Sequence, residues 1–383
     1  MTYGGSKEAV RTGLLAVSIL LMSCGNEEAH FDRQETMLVV SAAPAARIRL
    51  FHAGDELRDA TELDFPAIRR MWLPKGRYFL QVDEAGQTLY YPVPILGFRA
   101  GPDRDGTLAI TVRPAPSDYL PDFAYIPSGY VLLGDSANPQ EPHYVWASAY
   151  AIANFEVTNS QFREFLVDPM GFAKPENWTE QGREWKLSNH SEASALMPPA
   201  APDFGRFAQP EQPVTRVTWF EANAYCRWLT TRAGAGKWRY ALPNDAEWEK
   251  AARGPDGFDY GLGMLISDKQ VGLYNWRKNP GVPVTVVDRP ESSHTYQPNR
   301  YGIYHMSGNV AEWTQSIFRA YSRRQPFADD ERNNDDSAER RTVRGGSWYS
   351  ATTAPIYLPY RDGFQPYHRA EDVGFRVIAR LAP

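Results

Sequence analysis

The sequence predicts an α+β protein: a small N-terminal β-sandwich followed by a larger domain of short helices and long, organised loops. Three observations predict it. Residues 36–115 alternate apolar and polar side chains with period two, as half-buried strands do. Beyond residue 123, three helix starts carry capping boxes. Between those helices run Gly- and Pro-punctuated stretches of a length that compact domains keep only when specific contacts pin them. With 43% hydrophobic residues over 383 positions, the chain can bury sizeable cores.

The elements follow in chain order. Lys7 and Arg11 precede the apolar run GLLAVSILLMS (13–23), too short to cross a bilayer and suited to a signal peptide over 1–23. It ends in LMSC, which resembles the lipobox of bacterial lipoproteins. The resemblance implies cleavage before Cys24, lipidation of its thiol, and anchoring in the bacterial cell envelope. Gly25 rather than Asp follows, which by the same resemblance implies the outer membrane. Residues 24–35 are a polar, acidic tether. Only Cys226 then remains, so no internal disulfide can form and packing must hold the fold. Cys226 lies in a helical pattern and reads as a buried small hydrophobe.

The sandwich, 36–115, contains RIRLF (47–51), RYFLQV (77–82), QTLYYPV (87–93) and TLAITVR (107–113), with turns at PKG, EAG and DRDG. It has no acid–base cluster and no metal-ligand spacing, and reads as a spacer or adhesion module. LPKGRYFLQV (73–82) resembles PEGA-type surface domains. RPAPSDYLPD (113–122) is a linker, and the second domain occupies 123–383. There Thr158 has Gln161 three residues on, Thr218 has Glu221, and Asn244 has Glu247. The helix over about 219–232 places Phe220, Ala224, Tyr225, Trp228 and Leu229 near one face. The helix after Asn244 ends at AARG, with Gly254 as its stop. The charge-dense run 327–341 reads as a solvated surface loop.

Net charge is −5 with no basic excess, which argues against nucleic acid as a partner. The 11 Trp and 21 Tyr either build an aromatic core or display rings for recognition. The chain carries no Gly-rich phosphate loop and no GxSxG elbow. Its histidines, at 30, 52, 143, 190, 294, 305 and 368, show no paired metal-ligand spacing.

Six segments appear in order: FEVTNSQFREF (155–165), PVTRVTWFEANAYCRWL (213–229), YALPNDAEWEKAARG (240–254), NRYGIYHMSGNVAEWT (299–314), RTVRGGSWYS (341–350) and VGFRV (373–377). Together they resemble the formylglycine-generating enzyme, or sulfatase-modifying factor, family over essentially 123–380. The resemblance implies a C-type-lectin-like α+β fold poor in regular structure. It implies copper(I) held by two thiolates, a soft-ligand choice that chemistry favours. Those thiolates stand three and eight residues beyond the Ser of GGS. That Ser is Ser347, and the two positions hold Ser350 and Pro355, so no copper and no formylglycine generation are expected. The resemblance also implies structural calcium. One site would use the Gly308 and Val310 carbonyls and the Glu312 carboxylate, with His305 where an oxygen ligand is usual. A second would begin at Asn275, with no acidic residue in the stretch that follows.

Without the cysteine pair, the loop after RGGSW reads as a binding face or a packing layer. Gly345 and Gly346 permit backbone angles that aim Ser347 and Trp348. Tyr349, Tyr357, Tyr360, Arg361 and Tyr367 follow, a recognition-type composition, with about half the rings expected to pack inward. Arg369 and Arg376 are expected to bond internally. The leading expectation is a lipid-anchored, non-catalytic module that binds a protein or glycan partner in the envelope. The alternatives are an oxidase-like enzyme of the same superfamily with a different metal site, and a surface receptor diversified by a retroelement.

Overall fold

The computed structural model describes residues 35–96, 103, 106–117, 120–134, 143–189, 209–234, 236–266, 297–320, 333–350 and 352–382. The expected signal peptide, Cys24, nearly all of the tether, and Asn275 lie outside these residues.

The α+β fold is as read from the sequence. In the N-terminal unit, β1 (Glu35–Ser41) runs antiparallel to β4 (Arg70–Pro74) and parallel to β7 (Thr107–Thr111). The second sheet has the order β3 (Thr61–Leu63), β2 (Arg47–His52), β5 (Gly76–Glu84), β6 (Gln87–Ile95). Alternate residues bury one face, and Leu38, Leu50, Leu80, Val93 and Leu108 share one core. The β5–β6 hairpin turns on Ala85 and Gly86, both at positive φ, the geometry that matches strand twist in a two-residue loop.

In the second unit, β8 (Phe123–Ile126), β11 (Tyr150–Ala153), β17 (Ile378–Leu381) and β12 (Trp238–Ala241) form one sheet in that order. The last strand of the chain therefore sits between elements from the start and middle of this unit. A second sheet orders β15 (Asp362–Phe364), β14 (Arg341–Arg344), β13 (Ala311–Ile317) and β16 (Val373–Gly374). The strands β9 (Gly129–Leu133) and β10 (His143–Ala147) pair beside them.

All three expected capping boxes form, at the starts of α1 (Asn159–Val167), α3 (Trp219–Arg232) and α4 (Asp245–Arg253). In each, the cap side chain accepts from the third helical amide while the Gln or Glu there accepts from the cap's own N–H. Gly254 ends α4 at φ 65° and ψ 179°, a positive-φ stop outside the left-handed helical basin. A further helix, α2 (Glu180–Asn189), was not expected. Its sequence is polar with no apolar period; the Thr179 hydroxyl accepts from the Gly182 amide at its start, and Lys186 anchors it by lying 4.2 Å over the Phe172 ring and 4.6 Å over that of Trp178.

The described part of the charge-dense run is mostly exposed, as expected of a surface loop, and is pinned at two points. Asp335 accepts from Asn223, Arg227 and Gln315. Arg341, fully buried and 3.8 Å over the Trp219 ring, donates to the carbonyls of Asn334, Asp335 and Ser337.

The two units are riveted rather than merely strung together. Arg300 lies 4.5 Å over the Phe79 ring and donates from Nη2 to the Leu57 carbonyl, while Asp256 accepts from Nε and the same Nη2. In the opposite sense, Arg77 lies 5.8 Å over the Phe258 ring. The Met264 amide donates to Asp55 O, and the Tyr144 hydroxyl to Pro94 O. The N-terminal sandwich is therefore docked on the second unit.

Candidate functional site

The Ser347 corner is built by two glycines. Gly345 (φ 86°) and Gly346 (φ 62°) both adopt positive φ, and the Gly345 carbonyl accepts from the Gly308 amide at 2.8 Å. A Cβ on Gly346 would lie 2.7 Å from the Pro355 carbonyl carbon, so the close approach of two backbones demands glycine here. The corner is closed. Ser347 is 2% exposed. Its hydroxyl donates to Asp372 Oδ2 at 2.6 Å and accepts from the Tyr349 amide at 3.1 Å, while its amide donates to Ser350 Oγ at 2.9 Å. The Ser350 amide in turn donates to the Ser347 carbonyl. No imidazole is in this set of contacts, and a Ser–carboxylate pair without a base to take up the proton makes a poor nucleophile.

The other expected ligand-binding residues divide. Trp348 is buried, its amide donating to Asn309 O, and its ring meets Tyr349 edge-on at 5.5 Å. Tyr349 and Tyr367 are exposed, at 44% and 57%. Tyr357 and Tyr360 are half-buried, with Tyr357 against the Tyr260 ring. Arg361 turns inward, pairing with Asp245 at 2.6 Å and donating to the Arg319 carbonyl. Arg369 and Arg376 bond internally, Arg369 to Glu221 and the Arg216 carbonyl.

Beneath the corner lies a feature that sequence reasoning missed: a buried layer of charge assembled from the sequence segments quoted above. Arg376 and Glu312 form a bidentate pair at 2.6–2.9 Å with side chains 0% and 1% exposed. The Trp248 indole donates to Glu312 Oε2 at 2.7 Å. Arg376 Nη1 holds the Ala153 and Asn154 carbonyls, and Nη2 also donates to the Tyr304 carbonyl. Glu156, 3.9 Å from the same guanidinium, accepts from the Asn309 amide at 2.7 Å and meets His305 Nδ1 at 3.1 Å. Burial alone would push both carboxyls up. It wins at Glu312, whose pKa is raised, whereas at Glu156 it is outweighed by His305, Arg376 and the residue's own backbone amide, which hold the carboxyl below its usual value. A second cluster joins Arg344 to Glu249 at 2.5 Å, Glu249 to Arg253, and Arg253 to Asp259.

This layer bears on calcium. The Glu312 carboxylate already takes four donor contacts, two on each oxygen, which uses its lone-pair capacity. A guanidinium stands where a cation would have to bind. The donors at Gly308, Val310 and Glu312 therefore do not fit a calcium ion in this arrangement, and among the described residues no group of three or more His, Cys, Asp or Glu side chains converges as a metal site. Cys226, the thiol of α3, is 1% exposed, and burial pushes its pKa well up. It is a packed hydrophobe, inert by the usual criteria.

Comparison with known sequences gives a consistent result. Residues 109–381 match the family of sulfatase-modifying factor enzyme 1-like domains. Inactive C-alpha-formylglycine-generating enzyme 2 of Mus musculus is 28% identical over 294 residues, spanning 68% of this chain and 86% of its own length. The formylglycine-generating enzyme of Streptomyces coelicolor is 35% identical over 298 residues, 66% of this chain and 87% of its own. Hercynine oxygenase of Mycolicibacterium smegmatis is 28% identical over 281 residues, 66% of this chain but 60% of its own length.

Proposed function

The chain belongs to the family of sulfatase-modifying factor enzyme 1-like domains, and from that premise we propose that it uses the scaffold as a non-catalytic binding or structural module of the bacterial cell envelope, lipid-anchored through Cys24. Family membership alone does not choose between catalysis and its loss, since the relatives named above include two enzymes and one called inactive. The observation that carries the choice is the Ser347 corner. The positions matching the copper thiolates of the family are Ser350 and Pro355: one caps the Ser347 amide, and the backbone of the other packs on Gly346. Every polar atom of the Ser347 side chain is spent on internal bonds. The exposed Tyr349 and Tyr367 rings are left as the recognition elements of this face, toward a protein or glycan partner.

Two measurements test the reading. The full chain, expressed in a bacterial host fed labelled palmitate, should carry label that Cys24→Ser abolishes; an unlabelled wild type ends the anchor proposal. Purified protein exposed to copper, iron and calcium salts should retain no stoichiometric copper or iron by mass spectrometry, and should leave the cysteine of a sulfatase-type peptide unoxidised. Copper or iron near one per chain, or aldehyde on the peptide, would return the oxidase reading to the front.

A further inference from the structure

The turn that leads into β13 holds two non-glycine residues at positive φ, His305 and Asn309, both at 62°. Such backbone persists where its surroundings over-determine it. Here one carboxylate grips both residues. Glu156 Oε1 accepts from Asn309 Nδ2 at 2.7 Å, and Oε2 lies 3.1 Å from His305 Nδ1. Glu156 is held in its ionised form, which only accepts, so Nδ1 carries the proton of that contact. All three side chains are buried. The stacked rings of Phe155 and Tyr304 flank the imidazole, with centroids 5.9 and 6.0 Å from it. The backbone of the turn is tied as well, the Gly308 amide donating to Gly345 O and the Trp348 amide to Asn309 O.

This is the turn whose Gly308, Val310 and Glu312 donors do not fit a calcium ion. From the geometry we infer that Glu156, His305 and Asn309 form a protein-only clasp that takes over the structural job of such an ion, so that the turn is held without calcium. A bound cation does two things for a loop: it neutralises buried carboxylates, and it fixes the backbone that supplies its ligands. Both are provided here by side chains. Arg376 neutralises Glu312, and the His305 N–H meets Glu156. The Glu156 carboxylate fixes the backbone by holding the turn at both of its positive-φ residues. His305 is the residue on which the exchange depends. A carboxylate at that position would set negative oxygens face to face with Glu156, and only a cation between them would settle the pair. The clasp also reaches farther along the chain than coordination within 305–312, because Glu156 lies 149 residues from His305. It ties the segment before α1 to the turn before β13. This inference rests neither on the lipid anchor nor on the RGGSW face.

The test is thermal unfolding of the purified full chain in detergent, in EDTA and in millimolar calcium, with bound calcium counted by mass spectrometry after dialysis. Wild-type protein should show the same Tm in both buffers and retain no stoichiometric calcium, since an ion that bound the folded state would raise the Tm. Two variants of one shape then isolate the clasp. Asn and Asp both tolerate positive φ, but Asn keeps an N–H for Glu156 and Asp offers only acceptors. In EDTA, His305→Asp should therefore melt at least about 4 °C below His305→Asn. A position that served packing alone would not tell the two apart. The inference is overturned if the wild type holds calcium near one per chain, if EDTA lowers its Tm, or if His305→Asp is as stable in EDTA as His305→Asn. The wild-type measurements decide whether or not the Asp variant folds.

Discussion

Arg376 and Glu312 meet as a bidentate ion pair with both side chains out of reach of solvent, although 64 residues of chain separate them. The pair ties the terminal segment to β13, and through the Ala153, Asn154 and Tyr304 carbonyls it ties both to the start of the domain. Removing one partner leaves a buried charge uncompensated. Arg376→Met should therefore cost about 3–5 kcal/mol in urea unfolding, whereas Arg376→Met combined with Glu312→Leu should cost less than the single change. A double variant no more stable than Arg376→Met would refute the electrostatic account and leave packing alone to explain the loss.

Gly346 carries the Ser347 corner. Alanine there meets two penalties, a positive φ and a Cβ within 2.7–2.8 Å of the Pro355 carbonyl group. Gly346→Ala should destabilise the domain by at least about 2 kcal/mol. The check is the denaturation midpoint, with Gly234→Ala as a control. Gly234 shares the positive φ, but nothing lies within 4 Å of the added Cβ, so its cost should be the backbone term alone.

Lys250 is buried, donates to the Pro127 and Gly129 carbonyls, and has its pKa pushed down to about 7 by desolvation. The unfolded amine titrates near 10.4. Between those values the unfolded chain binds the extra proton, so this residue makes stability rise with pH from about 7 to 10; the gain is lost as pH falls back from 10 to 7, and below 7 both states hold the proton and the contribution is flat. Lys250→Met should flatten that rise. Urea titrations of both proteins at pH 7 and pH 9 decide it: equal slopes would show that Lys250 keeps its ordinary affinity for the proton.

Cys226 should react with a thiol reagent only when the domain opens, because its side chain is 1% exposed and its thiolate is disfavoured by burial. In a Cys24→Ser protein, labelling without denaturant should proceed at the rate of unfolding measured by fluorescence. Faster labelling would mean that α3 opens locally.

Local structure was the legible part of this protein. Each capping box needs only residues three apart, so Thr158, Thr218 and Asn244 announced their helices to the residue. Strand alternation in the sandwich was equally local. Helix α2 escaped because cation–π contacts from Lys186 to Phe172 and Trp178 hold it, and such contacts leave no period in the sequence. The ring-rich loop shows the same limit. Composition gave its character, yet whether Arg361 faces solvent or Asp245 depended on a partner more than a hundred residues away.

By itself the sequence determined the family, the α+β class and the helix starts, because each is written in residue identities or short spacings. Only the tertiary structure decided where the charges of the conspicuous segments go. Glu156, Glu249, Glu312 and Arg344 look like surface or site residues one at a time, and become buried ion pairs, Glu156 and Glu312 on Arg376 and Glu249 on Arg344, when distant parts of the chain bring each pair within 4 Å. The physical reason is that a charge can leave water only when its counter-charge arrives with it, and that condition is met in space, not along the chain.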